Sequence, residues 1–329
     1  MTSSEKIRVL RVAIIGCGQI SRLHVQRLQS DGRGRIVGLF DSNRPAAEAL
    51  RSLLPDKPAV AGSLEELLAE SSLDAAIICT PTSAHFEQVR ACRGRGLHVL
   101  CEKPLADTRD CISQLIDESH SGPQLSVAYQ RRYWSRYRTL RREVQSGRWG
   151  PVRAVTLRSV EAWQPAITGT WRDDPAINFG GFIADAGSHK IDGVFYVTGL
   201  NATEVFAHTY KCGSNVEICA TASARLEGGI PLSLNFIGNA QYLGEDLHVH
   251  CADADLMIRD EGLWIGRDGH VEPFGDMEGE SNPVTGFIDC IEGSGPAVAP
   301  PDCALPVFDF TQALLESGRT RQLITISGP

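Results

Sequence analysis

Residues 9–21, VLRVAIIGCGQIS, constrain this chain more than any other stretch. An apolar, β-rich run over 9–15 leads directly into Gly16-Cys17-Gly18-Gln19-Ile20-Ser21. That is the glycine spacing of a strand–turn–helix, G-x-G-x-x-G/A, with Ser21 in the third position. Gly16 permits the tight turn, and Gly18 lets the backbone come close to a pyrophosphate. A small third residue allows the helix to pack on the strand, and serine is small enough. Apolar residues then recur at Ile20, Leu23 and Leu28, a helical spacing. The start of such a helix offers free N–H groups and the positive end of its dipole to phosphates. Gly16, Gly18, Gln19 and Ile20 are therefore candidate cofactor contacts. Two glycines after a strand also describe a plain tight turn, so the weight falls on the residues downstream.

A second strand, 35–40, ends in Asp41, 25 residues after Gly16. An acid there accepts hydrogen bonds from ribose hydroxyls and repels a 2′-phosphate, which favours NAD. Arg44, three residues on, would pair with a 2′-phosphate and keeps NADP open. Ser63 reads as a helix cap with Glu66 at capping-box spacing, opening a helix over 64–69. The buried strand 74–79 ends in Thr80-Pro81-Thr82, with His85 just beyond. A helix then runs to Arg95 and stops at Gly96. The next apolar strand, 97–101, is cut off by Glu102-Lys103-Pro104, because proline has no N–H for a ladder. Strands alternating with helices call for a parallel sheet covered on both faces. In such sheets ligands bind beyond the carboxyl ends of the strands. The Gly16 turn, the Thr80-Pro81 loop with His85, and the Glu102-Lys103 turn are thus expected to meet the cofactor, with Lys103 also a candidate catalytic group.

At 329 residues, two domains are expected, since single cores stop growing near ~250–300 residues. The division is placed at 1–127, a dinucleotide-binding domain, and 128–329, a substrate-binding and oligomerisation domain. A net charge of −8 argues against nucleic acid as the partner. The polar start, MTSSEKIRVLR, lacks the apolar core of a signal peptide, and no window is apolar enough to span a membrane. Ten scattered cysteines without a Cys-x-x-Cys pair read as free thiols in a reducing cytoplasm.

Taken together, Thr80-Pro-Thr-x-x-His85 and Gly96-x-His98-Val99-x-x-Glu102-Lys103-Pro104 resemble the Gfo/Idh/MocA family of NAD(P)-dependent oxidoreductases. That family is named for glucose–fructose oxidoreductase, inositol 2-dehydrogenase and a rhizopine-catabolism protein. The resemblance continues through 124–132 (QLSVAYQRR), similar to the family's crossover strand, and through Gly147-Arg-Trp-Gly150-Pro151-Val152. Trp171-Arg172, Gly180-Gly181 and Asp185-x-Gly187-x-His189-x-x-Asp192 then come in the family's order. The departures are Ser21 for glycine, Phe182 where a third glycine is common, and a compact carboxyl-terminal part; Phe182 bears on the pocket and so on substrate. The resemblance implies a Rossmann domain followed by an α+β domain with a large, mostly antiparallel open sheet. In the sequence itself, 152–160, 217–226, 232–237, 247–251 and 255–258 read as strands. A sheet that wide needs its open face covered, so a homodimer or homotetramer through it is expected.

Asp185 and His189 are four apart and share one face if a helix runs through them. A histidine near its neutral pKa takes a hydroxyl proton as hydride leaves the same carbon. Asp185 would fix its tautomer or share its hydrogen bonds, and Lys103 would polarise the developing carbonyl. By the family's pattern Lys103, Asp185 and His189 are the catalytic set; a capping acid and a satisfied helical histidine are the alternative for the last two. Asp192, one turn on, supports the site or binds substrate. Arg131, Arg132 and Arg172, with Trp163 and Trp171, are candidates to line a pocket for a sugar or an acidic substituent; the other reading is a solvated basic helix face beside core aromatics. His248 and His250 share a strand face but have no third ligand nearby, so no metal is expected. The expected activity is hydride transfer between a nicotinamide and a secondary alcohol or ketone of a sugar, polyol or related molecule. A redox-neutral glycosidase or epimerase-like cycle on retained NAD, and a non-catalytic cofactor-binding sensor, stay open.

Overall fold

The computed structural model describes residues 9–70, 72–259 and 261–326. Most of the polar amino-terminal segment MTSSEKIRVLR, and the outermost residues of both expected domains, lie outside them. The chain divides into two compact units, 1–128 with 281–301, and 129–280 with 302–329.

The first unit is a six-stranded, all-parallel sheet in the order β3-β2-β1-β4-β5-β6. Its strands are β1 (Leu10–Ile15), β2 (Gly34–Phe40), β3 (Ala59–Val60), β4 (Ala75–Ile78), β5 (His98–Cys101) and β6 (Leu125–Val127). Between them run α1 (Gln19–Asp31), α2 (Arg44–Leu53), α3 (Leu64–Leu68), α4 (His85–Gly94) and α5 (Arg109–Ser119). β1, β4 and β5 are buried along almost their whole length, which is why they read as unbroken apolar runs. Ser63 caps α3 by accepting from the Glu66 N–H at 3.1 Å, while Glu66 reaches the Gly62 N–H at 2.7 Å and not that of Ser63. Half of the expected capping box forms.

The second unit opens with α6 (Ser135–Gln145) and builds a nine-stranded sheet in the order β14-β13-β12-β11-β7-β10-β9-β8-β15. These are β7 (Val152–Ala162), β8 (Ala202–Tyr210), β9 (Cys219–Leu226), β10 (Ile230–Ile237), β11 (Asn239–Cys251), β12 (Asp255–Arg259), β13 (Gly262–Arg267), β14 (His270–Pro273) and β15 (Ile324–Thr325). Every neighbouring pair is antiparallel except β7 with β10. Alternation is clean: Ala220, Ala222, Ala224, Leu232, Leu234 and Phe236 are buried, whereas Thr221, Ser223, Arg225 and Ser233 face outward. After β7 come α7 (Trp163–Ile167), α8 (Gly181–Ala184) and α9 (Ala186–Thr198), then, past the strands, α10 (Pro283–Ile291) and α11 (Ala304–Thr320). α9 packs against β7 and α6, and α11 along β8. Gly193 permits the α6–α9 approach, since a Cβ there would lie 2.7 Å from the Tyr137 ring.

The single expected boundary near residue 127 does not describe α10, which packs in the first unit. Its Val284, Phe287 and Ile288 are buried in one cluster with Val25, Leu28 and Leu100. Asn282 caps it by accepting from the Val284 and Thr285 N–H groups at 3.0 and 3.1 Å. Arg33 ties it to the end of α1 by donating to Asp289 at 2.7 Å and Glu292 at 2.9 Å. Chain order carries no sign of this return, because it is made by burial of one helix face.

Candidate active site

The turn after β1 takes the conformation its glycines imply. Gly16 sits at φ 87°, and a Cβ on it would lie 2.6 Å from the Cys79 carbonyl carbon and the Thr80 nitrogen, so no side chain fits. A Cβ on Gly18 would meet nothing within 4 Å among the described residues. Gly18 caps α1 with backbone alone: the first turn, led by Gln19 and Ile20, has no acid and receives no side-chain cap. Donors left over at a helix start, beside an open space, fit a pyrophosphate. Ser21 is fully buried and donates to the Gly18 carbonyl at 2.6 Å, so it tightens this turn from below. Asp41 follows β2 directly. One of its oxygens accepts from the Cys17 N–H at 2.7 Å and the other from the Asn43 N–H at 2.8 Å. The expected ribose reader is thus fastened to the glycine turn, with lone pairs to spare for a hydroxyl. Arg44 begins α2, is exposed, and makes a long 3.4 Å contact to Glu48.

The loops after β4 and β5 are joined by His85. Its ring is 1% exposed, with Nδ1 2.8 Å from the Pro104 carbonyl oxygen and Nε2 2.8 Å from that of Thr80. Burial pushes this imidazole below the usual histidine range, although the two carbonyls and Glu102 pull the other way. A neutral ring donates to one carbonyl at a time. His85, expected to touch the cofactor, clamps the two loops together with a buried ring. Thr80 spends its hydroxyl on Gln88 at 2.6 Å, and Pro81 stands exposed before the short turn Thr82–Ala84.

Behind Lys103 lies a residue that sequence reading missed. His24, on the buried face of α1 with Ser21, Val25 and Leu28, is fully buried and donates from Nε2 to Glu102 at 2.7 Å. The other Glu102 oxygen accepts from the Lys103 N–H at 3.2 Å. Burial pushes the Glu102 carboxyl up, but His24 and the neighbouring Lys103 outweigh it and hold it below the usual carboxylate range. Glu102 therefore stays ionised and links α1 to the turn that carries Lys103. A lone histidine on an apolar helix face gives no sign of this; its partner stands 78 positions away.

In the second unit, Gly181 (φ 54°) lies so close to the backbone of Glu217 that a Cβ would fall 2.1 Å from the Glu217 carbonyl oxygen. Asp185 then stands at the N-terminal boundary of α9 without a side-chain capping bond, and His189 follows one turn later; both are half-buried. Arg172 donates from Nε to Asp185 at 2.9 Å while its guanidinium lies over the Trp171 ring, 4.3 Å from the centroid. His189 stands edge-on to the buried Tyr129 ring at 6.0 Å and 85°. Trp171 is 41% exposed, and the half-buried Trp163 packs on Phe182 at 5.5 Å. Phe182 itself is fully buried between Trp163 and Phe236, so it fills the core and not a pocket wall.

Three expected substrate contacts, Arg131, Arg132 and Asp192, lie buried in ion pairs. Asp192 is fully buried and holds Arg132 through bonds of 2.8 to 3.0 Å. Arg131 donates to Glu245, whose carboxylate also accepts from Tyr137. Lys190, 2% exposed and unforeseen, pairs with Glu161 beneath Phe182. These are buried, mutually satisfied pairs under α9. Burial and the Arg131 charge push the Lys190 ammonium down to about 8, while Arg131 and Lys190 overcome burial and hold Glu245 at about 2. His250 hydrogen-bonds Asp255 at 2.8 Å, with the His248 ring 6.2 Å away. Among the described residues no group of three or more His, Cys, Asp or Glu is arranged to hold a metal.

A parallel nucleotide-type sheet with this glycine turn, followed by an α+β unit carrying Asp185 and His189, defines a two-unit protein of the dinucleotide-binding class. Residues 10–129 match the oxidoreductase family with an NAD-binding Rossmann fold, and 137–257 match the GFO/IDH/MocA carboxyl-terminal domain. The chain belongs to the Gfo/Idh/MocA oxidoreductase family. It is 30% identical to myo-inositol dehydrogenase Hyg17 of Streptomyces leeuwenhoekii over 72% of each chain. It is 26% identical to inositol 2-dehydrogenase of Rhizobium meliloti over 60% of this chain, spanning 58% of that protein's length. In fold it is similar to an oxidoreductase domain protein from Kribbella flavida, with TM-score 0.86 and 20% identity over 98% of this chain and all of the other.

Proposed function

We propose that this chain is an NAD(P)-dependent dehydrogenase or reductase acting on a secondary alcohol or ketone of a sugar, polyol or related small molecule. The observation that carries the reading is the start of α9, where Asp185 precedes the helix, His189 lies one turn on, and Arg172 holds the Asp185 carboxylate. The relatives named as inositol dehydrogenases support the substrate class. When bound, the nicotinamide supplies the hydride acceptor or donor. His189 takes the hydroxyl proton, the Asp185 charge favours the imidazolium that results, and the Lys103 ammonium stabilises the oxygen as it changes between hydroxyl and carbonyl. Glu102, His24 and His85 hold the Lys103 turn. Trp163, Trp171 and Arg172 are the half-buried or exposed substrate contacts of this reading. NAD is preferred over NADP, because the Asp41 carboxylate beside the glycine turn repels a 2′-phosphate.

The same reading includes a second copy of the chain over the outward face of the nine-stranded sheet, where β10 and β11 leave Ile237, Tyr242 and Leu243 exposed; light scattering reads the assembly. It also includes a reducing, cytoplasmic setting, which fits ten free thiols. Among the described residues no helix is long and apolar enough to cross a membrane.

Thermal-shift titration with NAD, NADH, NADP and NADPH tests the cofactor half. NAD(H) at a hundred times its Kd should add about 2.7 kcal/mol of stability, and the phosphorylated pair less. Turnover of polyols and sugars, followed at the nicotinamide absorbance, tests the rest: His189→Asn should lower kcat roughly 100- to 10,000-fold. If no nucleotide raises the melting temperature and acid extraction releases none, the assignment is wrong.

A further inference from the structure

The loop between β8 and β9 brings together two cysteines that the linear sequence leaves unpaired. Its turn, 211–214, is closed by the Ser214 N–H donating to the Lys211 carbonyl at 2.9 Å. Both central residues are left-handed, Cys212 at φ 52° and Gly213 at φ 84°. Glycine takes that conformation freely, but a cysteine there is uncommon and strained. With the backbone so turned, Cys212 Sγ lies 3.5 Å from Sγ of Cys219, the first residue of β9. Cys219 also donates to Asn239 Oδ1 at 3.4 Å. Both cysteines are half-buried, whereas Cys17, Cys79, Cys92, Cys101 and Cys251 are buried. Sulfurs in van der Waals contact need to close by only about 1.5 Å to reach a disulfide bond length.

We propose that Cys212 and Cys219 form a dithiol modification site that oxidises to an intrachain disulfide and thereby acts on the segment carrying Arg172. With a peroxide as oxidant, one sulfur attacks the O–O bond, giving a sulfenic acid and one water. The second sulfur displaces the hydroxyl as a second water. Two S–H bonds and the O–O bond break, one S–S bond forms, both sulfurs are oxidised, and the protons end on water. Burial and the neighbouring Cys219 push the Cys212 thiol up to about 11, so the reaction runs through a small thiolate fraction at neutral pH and quickens as pH rises.

The loop is strapped to the segment before α9. Gln164 donates to the Cys212 carbonyl at 2.8 Å and to Ser214 at 3.0 Å. Asn215 donates to the Asp173 carboxylate at 3.0 and 3.2 Å. The Phe182 N–H donates to the Glu217 carbonyl at 2.8 Å. A disulfide at the base of this loop removes freedom from the residues that hold 164–173, and so from Arg172 against Asp185.

The test treats the full-length reduced chain with dilute hydrogen peroxide, followed by thiol counting, peptide mapping and amide hydrogen exchange. The expected result is loss of two of the ten thiols, a linked Cys212–Cys219 peptide lighter by two hydrogens, reversal by a dithiol reductant, and slower exchange over 164–173. Cys212→Ser and Cys219→Ser should each keep the remaining nine thiols under the same treatment. Oxygen addition at other cysteines without the linked peptide overturns the site. A linked peptide with unchanged exchange over 164–173 overturns its action on the Arg172 segment. Neither readout needs substrate or nucleotide, so the proposal stands or falls apart from the assigned activity.

Discussion

Gly16 and Gly18 stand two residues apart and separate two demands on one turn. At Gly16 an added Cβ runs into the backbone of Cys79 and Thr80, and the left-handed φ adds strain. Gly16→Ala should lower folding stability by about 1–3 kcal/mol and weaken nucleotide binding with it. At Gly18 an added Cβ meets open space among the described residues. Gly18→Ala should leave the denaturation midpoint almost unchanged and lower NAD affinity by ~10-fold or more, where the methyl takes the room of a phosphate oxygen. Urea unfolding beside titration calorimetry distinguishes the two, and equal stability losses would contradict the assignment. The placement of the glycines, Asp41 and Lys103 at the ends of strands was legible because each closely follows an apolar run. His24 and the clamp made by His85 were not, since a histidine's meaning lies in which groups its two nitrogens meet.

Under α9, the paired charges set the element's response to mutation and pH. Asp192→Asn leaves the Arg132 guanidinium buried opposite a neutral amide, and should cost about 3–5 kcal/mol in urea unfolding. Glu245 is depressed from 4.5 to about 2. Its stabilisation, roughly 3 kcal/mol at ~1.4 kcal/mol per pH unit, is complete above pH 4.5 and is lost as pH falls through about 2. Lys190 is depressed from 10.5 to about 8, so between those values the unfolded chain binds the proton more tightly and stability rises with pH. Unfolding free energies over pH 2–5 and 8–10.5 check both limbs; Glu245→Gln should flatten the acid limb while lowering stability overall. Basic residues over 131–142 read equally as pocket or solvent face because pattern alone does not reveal partners. Arg131 finds Glu245 on β11 and Arg132 finds Asp192 on α9, each more than fifty residues away.

On the scale of the chain, the return of α10 makes the first unit discontinuous in sequence. Phe287 is 2% exposed in that unit's core, so Phe287→Ala should cost about 3–5 kcal/mol and lower the melting temperature measured with saturating NAD as well as without it. The sequence by itself determined the strand–glycine–helix start, the parallel order of alternating strands and helices, the strands at the centre of the second sheet, and the Asp185–His189 spacing. Those features are local: a period of two or 3.6, a glycine where a side chain cannot fit, a proline where a ladder must end. Tertiary structure alone decided that α10 joins the first unit, that β8 and β13 to β15 widen the second sheet, that Arg131, Arg132 and Asp192 are satisfied inside the protein, and that Cys212 meets Cys219. Each of those depends on which distant groups burial brings within about 3 to 4 Å, and hydrogen bonds and ion pairs form at that range whatever the separation along the chain.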